Sequence, residues 1–302
     1  MRMRLVQSGG CDLHCHSVRS DGKRKLEELV AMAKERGLRT LAITDHNLFD
    51  PEFEQEKKKW NSDSFKLING VEFTATYTTR NGRVIETHIV ALMFDSSNPA
   101  FIRLLDQYSS GRYNYINAIL ASLREKQVVD ISYEELRNRF PDTWAPGKVH
   151  IAQLMAERGV VSNVYEGLDI YVGNLGEKRC WVPQADYVKL PTVKEVVQLI
   201  KEAHGIPVLA HPFYYNSLNL TELEALMEDF KAMAGECGAM EVYYKNYTDE
   251  QTKLLEQLSV KYELAPSCGG DFHGFSETDQ LYNFDYEILE NLEKLQAKSM
   301  VC

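Results

Sequence analysis

The stretch Asp12-Leu13-His14-Cys15-His16, followed by Ser20-Asp21-Gly22, sets two imidazoles one residue apart between acidic side chains. In an extended strand alternate side chains share a face, so Asp12, His14 and His16 line one side and Leu13 and Cys15 the other, with the two rings roughly 7 Å apart. Such a pair can hold one small cation. Buried without a cation, each ring leaves a donor and an acceptor to be satisfied, so a metal is the economical explanation. A surface strand with two solvated histidines is the alternative for this stretch taken alone. Further groups of the same type recur at Asp45-His46, Glu72, His88, His211 and Asp271-Phe272-His273, and six of the 8 histidines fall in the set. Crowded together without cations, these carboxylates would repel one another, whereas divalent ions remove that cost.

The elements that must carry these groups follow from periodicity and capping. Leu26, Leu29, Val30 and Ala33 recur at helical spacing, with Gly37 as a stop. Leu41-Ala42-Ile43-Thr44 is then an apolar strand ending in Asp45-His46-Asn47. Phe65 to Ile68 and Gly70 to Thr74 read as strand, and Asn81-Gly82 between Thr76–Thr79 and Val84–Phe94 is a hairpin signal that sets Glu72 and His88 on neighbouring antiparallel strands. Between residues 101 and 184 strand signals are nearly absent. Ile116, Ile119, Leu120 and Leu123 mark one helix face, Ser132-Tyr133-Glu134-Glu135 opens a second helix, and Val149 to Arg158 forms a third. Alternation then resumes: Thr192…Glu195 caps a helix, Ile206–Ala210 delivers His211, Thr221…Glu224 opens a helix, Ala239–Tyr244 is a strand, Thr248…Gln251 opens another helix, and Leu264-Ala265 leads to Asp271. Helices alternating with single strands predict an α/β parallel barrel with its functional groups gathered at the C-terminal strand ends. The predicted division is barrel over 1–100, a small inserted helical domain over 101–184, and barrel again over 185–302.

The 302 residues suffice for one large domain with an insert, and 44% hydrophobic with 26% charged residues describe an ordinary globular protein. A net charge of -10 disfavours a long basic track for duplex nucleic acid but leaves room for a small anionic substrate beside cations. The 6 cysteines are irregularly spaced with no C-x-x-C pair, which suits free thiols in a reducing compartment. Gly9 and Gly10 break the apolar run a signal peptide needs, and no apolar segment is long enough to span a membrane, so the expectation is a cytoplasmic protein with no membrane partner. Cys15 alternates away from the ligand face and reads as core. His150, inside an insert helix, and His204, at a helix C-terminus, read as structural.

The ordered series Asp12-Leu13-His14-Cys15-His16-Ser17, Ser20-Asp21-Gly22, Ile43-Thr44-Asp45-His46-Asn47, Gly70-Val71-Glu72, His88, Ala210-His211-Pro212 and Gly270-Asp271-Phe272-His273 resembles the PHP (polymerase and histidinol phosphatase) family of metal-dependent phosphoesterases. The resemblance implies a distorted (β/α)7 barrel holding two or three divalent ions. One would be held by His14, His16, Glu72 and Asp271, with Glu72 bridging to another; a second by Asp21, His46 and His273; a third by Glu72, His88 and His211. Asp45 is expected behind the ligands, orienting an imidazole. No ligand is missing from the series, which favours an active enzyme. Mixed imidazole and carboxylate coordination without thiolate suits Mn, Fe or Zn better than Ca or Mg.

The implied chemistry is hydrolysis of a phosphate ester, with hydroxide bridging two ions attacking phosphorus in line. A metal-held water, or His211 if two metals are present, is the expected acid. A barrel interrupted by a helical segment resembles the PHP subgroup acting on nucleoside 3',5'-bisphosphates and on short RNA from its 5' end. Arg112, which stands where that subgroup carries arginine, and Lys178 with Arg179 are the cations expected to reach a second phosphate; Tyr113, Tyr115 or Trp181 would stack on a base. Exposed cations are often merely solvated and aromatics often merely packed, and Tyr115 replaces a second basic residue of the subgroup. Two rival readings are a histidinol phosphate phosphatase and a non-catalytic module that binds nucleotide or phosphate through its metals. Amidohydrolase chemistry is disfavoured, since the sequence offers no lysine at a strand end suited to carbamylation and metal bridging.

Overall fold

The computed structural model describes residues 4–299 apart from 174–177, 179, 216–217 and 277. In chain order its regular elements are β1 (Cys11–Asp12), α1 (Leu26–Glu35), β2 (Thr40–Ile43), α2 (Phe53–Trp60), β3 (Lys66–Thr78), β4 (Val84–Leu92), α3 (Pro99–Glu125), α4 (Tyr133–Arg139), α5 (Lys148–Glu157), α6 (Val164–Gly167), α7 (Val193–Glu202), β5 (Ile206–Leu209), α8 (Leu220–Ala234), β6 (Ala239–Tyr244), α9 (Asp249–Lys261), β7 (Ala265–Gly269) and α10 (Glu287–Ser299). The seven strands form one sheet in sequence order. It curls into a nearly closed barrel: β1 and β7 do not share a regular ladder, but Cys15 bridges Phe272 and the His16 N–H donates to the Phe272 carbonyl at 2.9 Å. Asp12 completes that closure, its buried carboxylate accepting the Gly270 and Tyr282 N–H groups at 2.8 Å each.

Two expectations change here. The barrel is not wholly parallel, because β4 runs antiparallel to both β3 and β5. The hairpin through Asn81-Gly82 forces that reversal. As a result Glu72 and His88 lie inside their strands, not at strand ends: β3 and β4 continue past the mouth, with Glu72 opposite Val90 and His88 opposite Thr74. The opening strand is also shorter than expected. His14 and His16 lie beyond β1, and their Nε2 atoms stand 3.1 Å apart, a convergence that a flat strand would not permit.

Several capping motifs form as the sequence predicts. Thr192 with Glu195 and Thr248 with Gln251 make reciprocal capping boxes, each satisfying two N–H groups at a helix start. The box at α8 is Asn219 with Glu222, two residues before the expected Thr221. The helices between β4 and β5 share the barrel's core: Phe101 of α3 stacks on Phe94 with ring centres 4.1 Å apart and meets Phe73 edge-on, while the Tyr108 hydroxyl donates to the Thr74 carbonyl. Cys15 is fully buried with Leu29, Phe65 and Phe272 in a second, smaller cluster, as expected for a core residue. No helix among the described residues is long and apolar enough to cross a membrane.

Candidate metal centre

Glu72 is the hub of the barrel mouth. Its side chain is 1% exposed, and alternation along β3 and β4 turns it to the same face as His88. Oε1 lies 2.8 Å from His88 Nδ1 and 2.9 Å from His211 Nε2. Oε2 lies 3.3 Å from both His14 Nε2 and His16 Nε2, and 2.9 Å from His46 Nδ1. Asp271 Oδ1 closes the first group, at 3.1 Å from His16 Nε2 and 3.6 Å from His14 Nε2. A second group surrounds Asp21, whose oxygens stand 3.5 Å from His46 Nε2 and 3.5 Å from His273 Nε2, with His16 Nδ1 at 3.6 Å. All nine residues named as ligands from the sequence therefore meet in one basin.

Among the described residues three groupings offer atoms close enough to share an ion: His16, Asp21, His46 and His273; His14, His16 and Glu72; and His46, Glu72 and His88. The donor set fits divalent cations on two observations. His14 Nδ1 is engaged by Glu241 at 2.7 Å, so its Nε2 is directed at His16 Nε2, and two imidazole nitrogens facing each other need a cation or a proton between them. The buried atoms Glu72 Oε2 and His16 Nδ1 have no hydrogen-bond partner among the described residues. Electrostatics agree. Burial opposes charge on His14, but Glu241, Glu72 and Asp271 outweigh it and hold the ring well above its ordinary pKa. Burial likewise opposes charge on His16, yet Asp271 and Glu72 push it up to about 10. Glu72 falls well below the carboxylate range despite burial, because His46, His14 and His88 surround it. The carboxylates thus favour positive charge among these imidazoles, and binding a divalent ion there would displace protons.

The backbone is bent to make this convergence. Asn47, His211 and Asp271 follow β2, β5 and β7 closely and adopt φ of 52°, 28° and 45°. Such left-handed residues cost about 1–3 kcal/mol each and persist where the surroundings impose them. Tyr215 supplies part of that imposition, its hydroxyl donating to the Ala210 carbonyl at 2.7 Å and accepting the His88 N–H at 3.1 Å. The Tyr244 hydroxyl orients Asp271 at 2.7 Å, and Asp279 accepts the His273 and Gly274 N–H groups of the loop after β7.

Asp45 does not touch an imidazole. It accepts from Ser17 N, Ser17 Oγ and Ser20 Oγ, holding the turn that carries Asp21. The helical segment grips the same turn from outside: Thr143 Oγ1 donates to the Val18 carbonyl at 2.8 Å, Trp144 N–H donates to the Arg19 carbonyl, and the Arg19 guanidinium, paired with Asp50, lies 4.5 Å from the Trp144 ring centre. His150 is internal, accepting the Gly147 N–H at 3.0 Å, and His204 ends its helix at a positive φ, which agrees with structural roles for both.

The predicted substrate-binding residues divide. Arg112 lines a cavity of about 490 Å3 with His46, Phe49, Tyr108 and Trp144, and lies against Gly147, where a Cβ would come within 2.7 Å of its Nη2. Lys148, next in the chain and absent from the sequence-based reading, is pushed down to about 8 by burial and by Arg112, against the pull of Glu86. Trp181 lines a second cleft of about 750 Å3 with His46, Glu72, His88, His211 and Asp271. Lys178 is exposed and sits over the Tyr171 ring, away from these clefts; Arg179 lies outside the described residues. Tyr113 packs edge-on against Tyr133, and Tyr115 is buried beneath Lys148.

One lysine stands at a strand end, but its partners make it unsuited to carbamylation, in line with the sequence reading. Lys245 follows β6 and donates to the Asp271 carbonyl at 2.6 Å and to Asp279 Oδ1 at 3.1 Å. Burial opposes its charge, but Asp271 and Asp279 raise its pKa, keeping it an ammonium and unsuited to carbamylation. Glu241 was also missed. A lone acid inside the apolar strand Ala-Met-Glu-Val-Tyr-Tyr is the signal that could have found it, since a buried strand charge needs a partner.

Comparison with known proteins gives three findings. Residues 12–170 match the PHP domain. The chain is 31% identical over 271 residues to a 5'-3' exoribonuclease of Haemophilus influenzae (87% of this chain, 89% of that one) and 26% identical over 275 residues to a 3',5'-nucleoside bisphosphate phosphatase of Chromobacterium violaceum (88% of each). A solved structure from Chromobacterium violaceum, described as an amidohydrolase with bound sulfate and no metal, superposes with a TM-score of 0.79 at 25% identity, over 95% of this chain and 97% of that one.

Proposed function

The chain belongs to the PHP-domain family, and from that premise we propose that it hydrolyses a phosphate ester of a small nucleotide, a nucleoside 3',5'-bisphosphate or the 5' end of a short oligoribonucleotide. The observation that carries the reading is Glu72, one buried carboxylate facing five imidazoles and shared between two groups of ligand atoms. The residues fit two or three divalent ions, of which Mn, Fe and Zn suit the donors best. Ions held there lower the pKa of water and draw charge from phosphoryl oxygens. His14, His16, Glu72 and Asp271 would hold one; Asp21, His46 and His273 a second; Glu72, His88 and His211 a third.

The chain's own residues do the rest. Arg112 and Lys148, two half-buried cations close enough for Arg112 to lower the Lys148 pKa, bind the second phosphate of the substrate and fix which ester faces Glu72. Trp181 offers a stacking surface for a base. With two ions bound and the third position left open, His211 Nε2, beside Glu72, could pass a proton to the leaving oxygen. The segment 101–184 acts as a cap that supplies Arg112, Lys148 and Trp181 and steadies the Asp21 turn through Thr143 and Trp144. Buried free thiols at Cys11, Cys15, Cys180, Cys237 and Cys268 support a cytoplasmic location for this enzyme.

Phosphate release from nucleoside bisphosphates, short oligoribonucleotides, mononucleotides and histidinol phosphate, with Mn, Fe and Zn compared, tests the reading. The expected result is fastest turnover of the bisphosphate or oligoribonucleotide. Faster turnover of histidinol phosphate, or nucleotide binding with no phosphate released under any metal, would overturn it.

A further inference from the structure

We propose that Glu241 is a positioning residue that fixes the tautomer of His14 and the seat of His211, so that two cation positions depend on one carboxylate in β6. The inference rests on the metal-dependent phosphoesterase reading. Glu241 lies in mid-strand with its side chain 1% exposed. Oε1 is 2.7 Å from His14 Nδ1, and Oε2 accepts the His211 N–H at 2.6 Å, at the residue whose φ is 28°.

A carboxylate can only accept, so His14 Nδ1 must carry a proton and Nε2 is left to ligate. The same group holds the bent backbone of His211, whose Nε2 meets Glu72. Neighbouring backbone is shaped around the contact. At Gly269 of β7 a Cβ would stand 2.4 Å from His14 Cβ and 2.7 Å from Glu241 Oε1, so a bare strand passes over the pair.

Glu241→Gln separates positioning from mere packing. The amide has nearly the same shape but one accepting oxygen. The His211 N–H is an obligate donor and takes that oxygen; the amide nitrogen then faces His14 Nδ1 and donates to it. His14 flips to its Nε2–H tautomer, and the atom aimed at the cation becomes protonated.

The test uses full-length protein loaded with Zn, chosen because it is diamagnetic. Long-range 1H–15N ring spectra of histidine-labelled protein should show His14 as Nδ1–H in the wild type and as Nε2–H in E241Q. Equilibrium dialysis should show Zn affinity lowered by roughly 10- to 100-fold in E241Q, with an unchanged circular dichroism spectrum. Equal affinity and the same tautomer in both proteins would overturn the inference alone. A wild type that takes up no Zn would overturn the phosphoesterase reading and this inference with it. If E241Q fails to fold, the wild-type spectrum still decides: His14 seen as Nε2–H contradicts the proposal.

Discussion

Replacing Arg112 by alanine isolates recognition of the second phosphate. Its Nε donates to the Pro146 carbonyl at a long 3.4 Å, and among the described residues neither Nη atom makes a hydrogen bond or ion pair. The guanidinium remains charged although burial lowers its pKa, and it fits against Gly147, where a Cβ would crowd Nη2. A fork on a phosphate uses charge-assisted hydrogen bonds worth about 1.5–3 kcal/mol, and each 1.36 kcal/mol is tenfold in rate, so kcat/KM should fall about 10- to 150-fold. The loss should be confined to the substrate bearing both phosphates. Steady-state phosphate release from a nucleoside 3',5'-bisphosphate and from each of its two monophosphates makes the comparison. R112A should lower the first by that factor and at least one monophosphate reaction by no more than about threefold, and R112K should recover only part, since a point charge replaces a planar fork. An equal loss on all three substrates would refute the reasoning, because Arg112 would then support the site generally instead of reading one group.

Two further outcomes follow from particular side chains. Glu72→Gln removes the shared carboxylate and should cut turnover by at least about 100-fold while near-ultraviolet circular dichroism stays that of the wild type; near-normal rates would contradict its bridging role. His150 is held neutral, its pKa pushed down to about 4 by burial from 6.5. The folded state therefore binds fewer protons than the unfolded chain between those values, so this contribution is complete above about pH 6.5 and is lost as pH falls toward 4, by about 3 kcal/mol in all. Between pH 7.5 and 4.5, urea unfolding with chelator present should show the wild type losing about 2.5 kcal/mol more stability than His150→Gln; equal losses would show that His150 is not the titrating group.

The candidate ligand set was legible because its residue types are rarely buried together and its order along the chain is distinctive; Glu72, His88 and Asp271 were named before any geometry, and the structure brings them into one basin. The hairpin signal foretold the antiparallel pairing of β3 with β4, but nothing in the sequence showed that β4 also runs antiparallel to β5 or that Glu72 and His88 lie in mid-strand. The capping of α8 was degenerate in sequence, since Asn219 and Thr221 are each followed three residues later by a glutamate. Helix α2 escaped notice because it buries Phe53 alone and shows no apolar stripe. Asp45 was assigned to an imidazole when two serines on its own side of the mouth, Ser17 and Ser20, were the nearer donors. Residues that act through others, such as Glu241, Tyr244 and Asp279, carry no motif of their own and became visible only from their contacts.

One carboxylate, Glu72, is expected to gather the cations at the barrel mouth. Anomalous diffraction at the manganese edge, from crystals grown with Mn, addresses it directly. At least two peaks are expected within roughly 2.0–2.2 Å of Glu72 oxygens, each bonded to at least one of the surrounding imidazoles. Peaks only at the protein surface, or none at all while Mn occupies the crystal solvent, would contradict it.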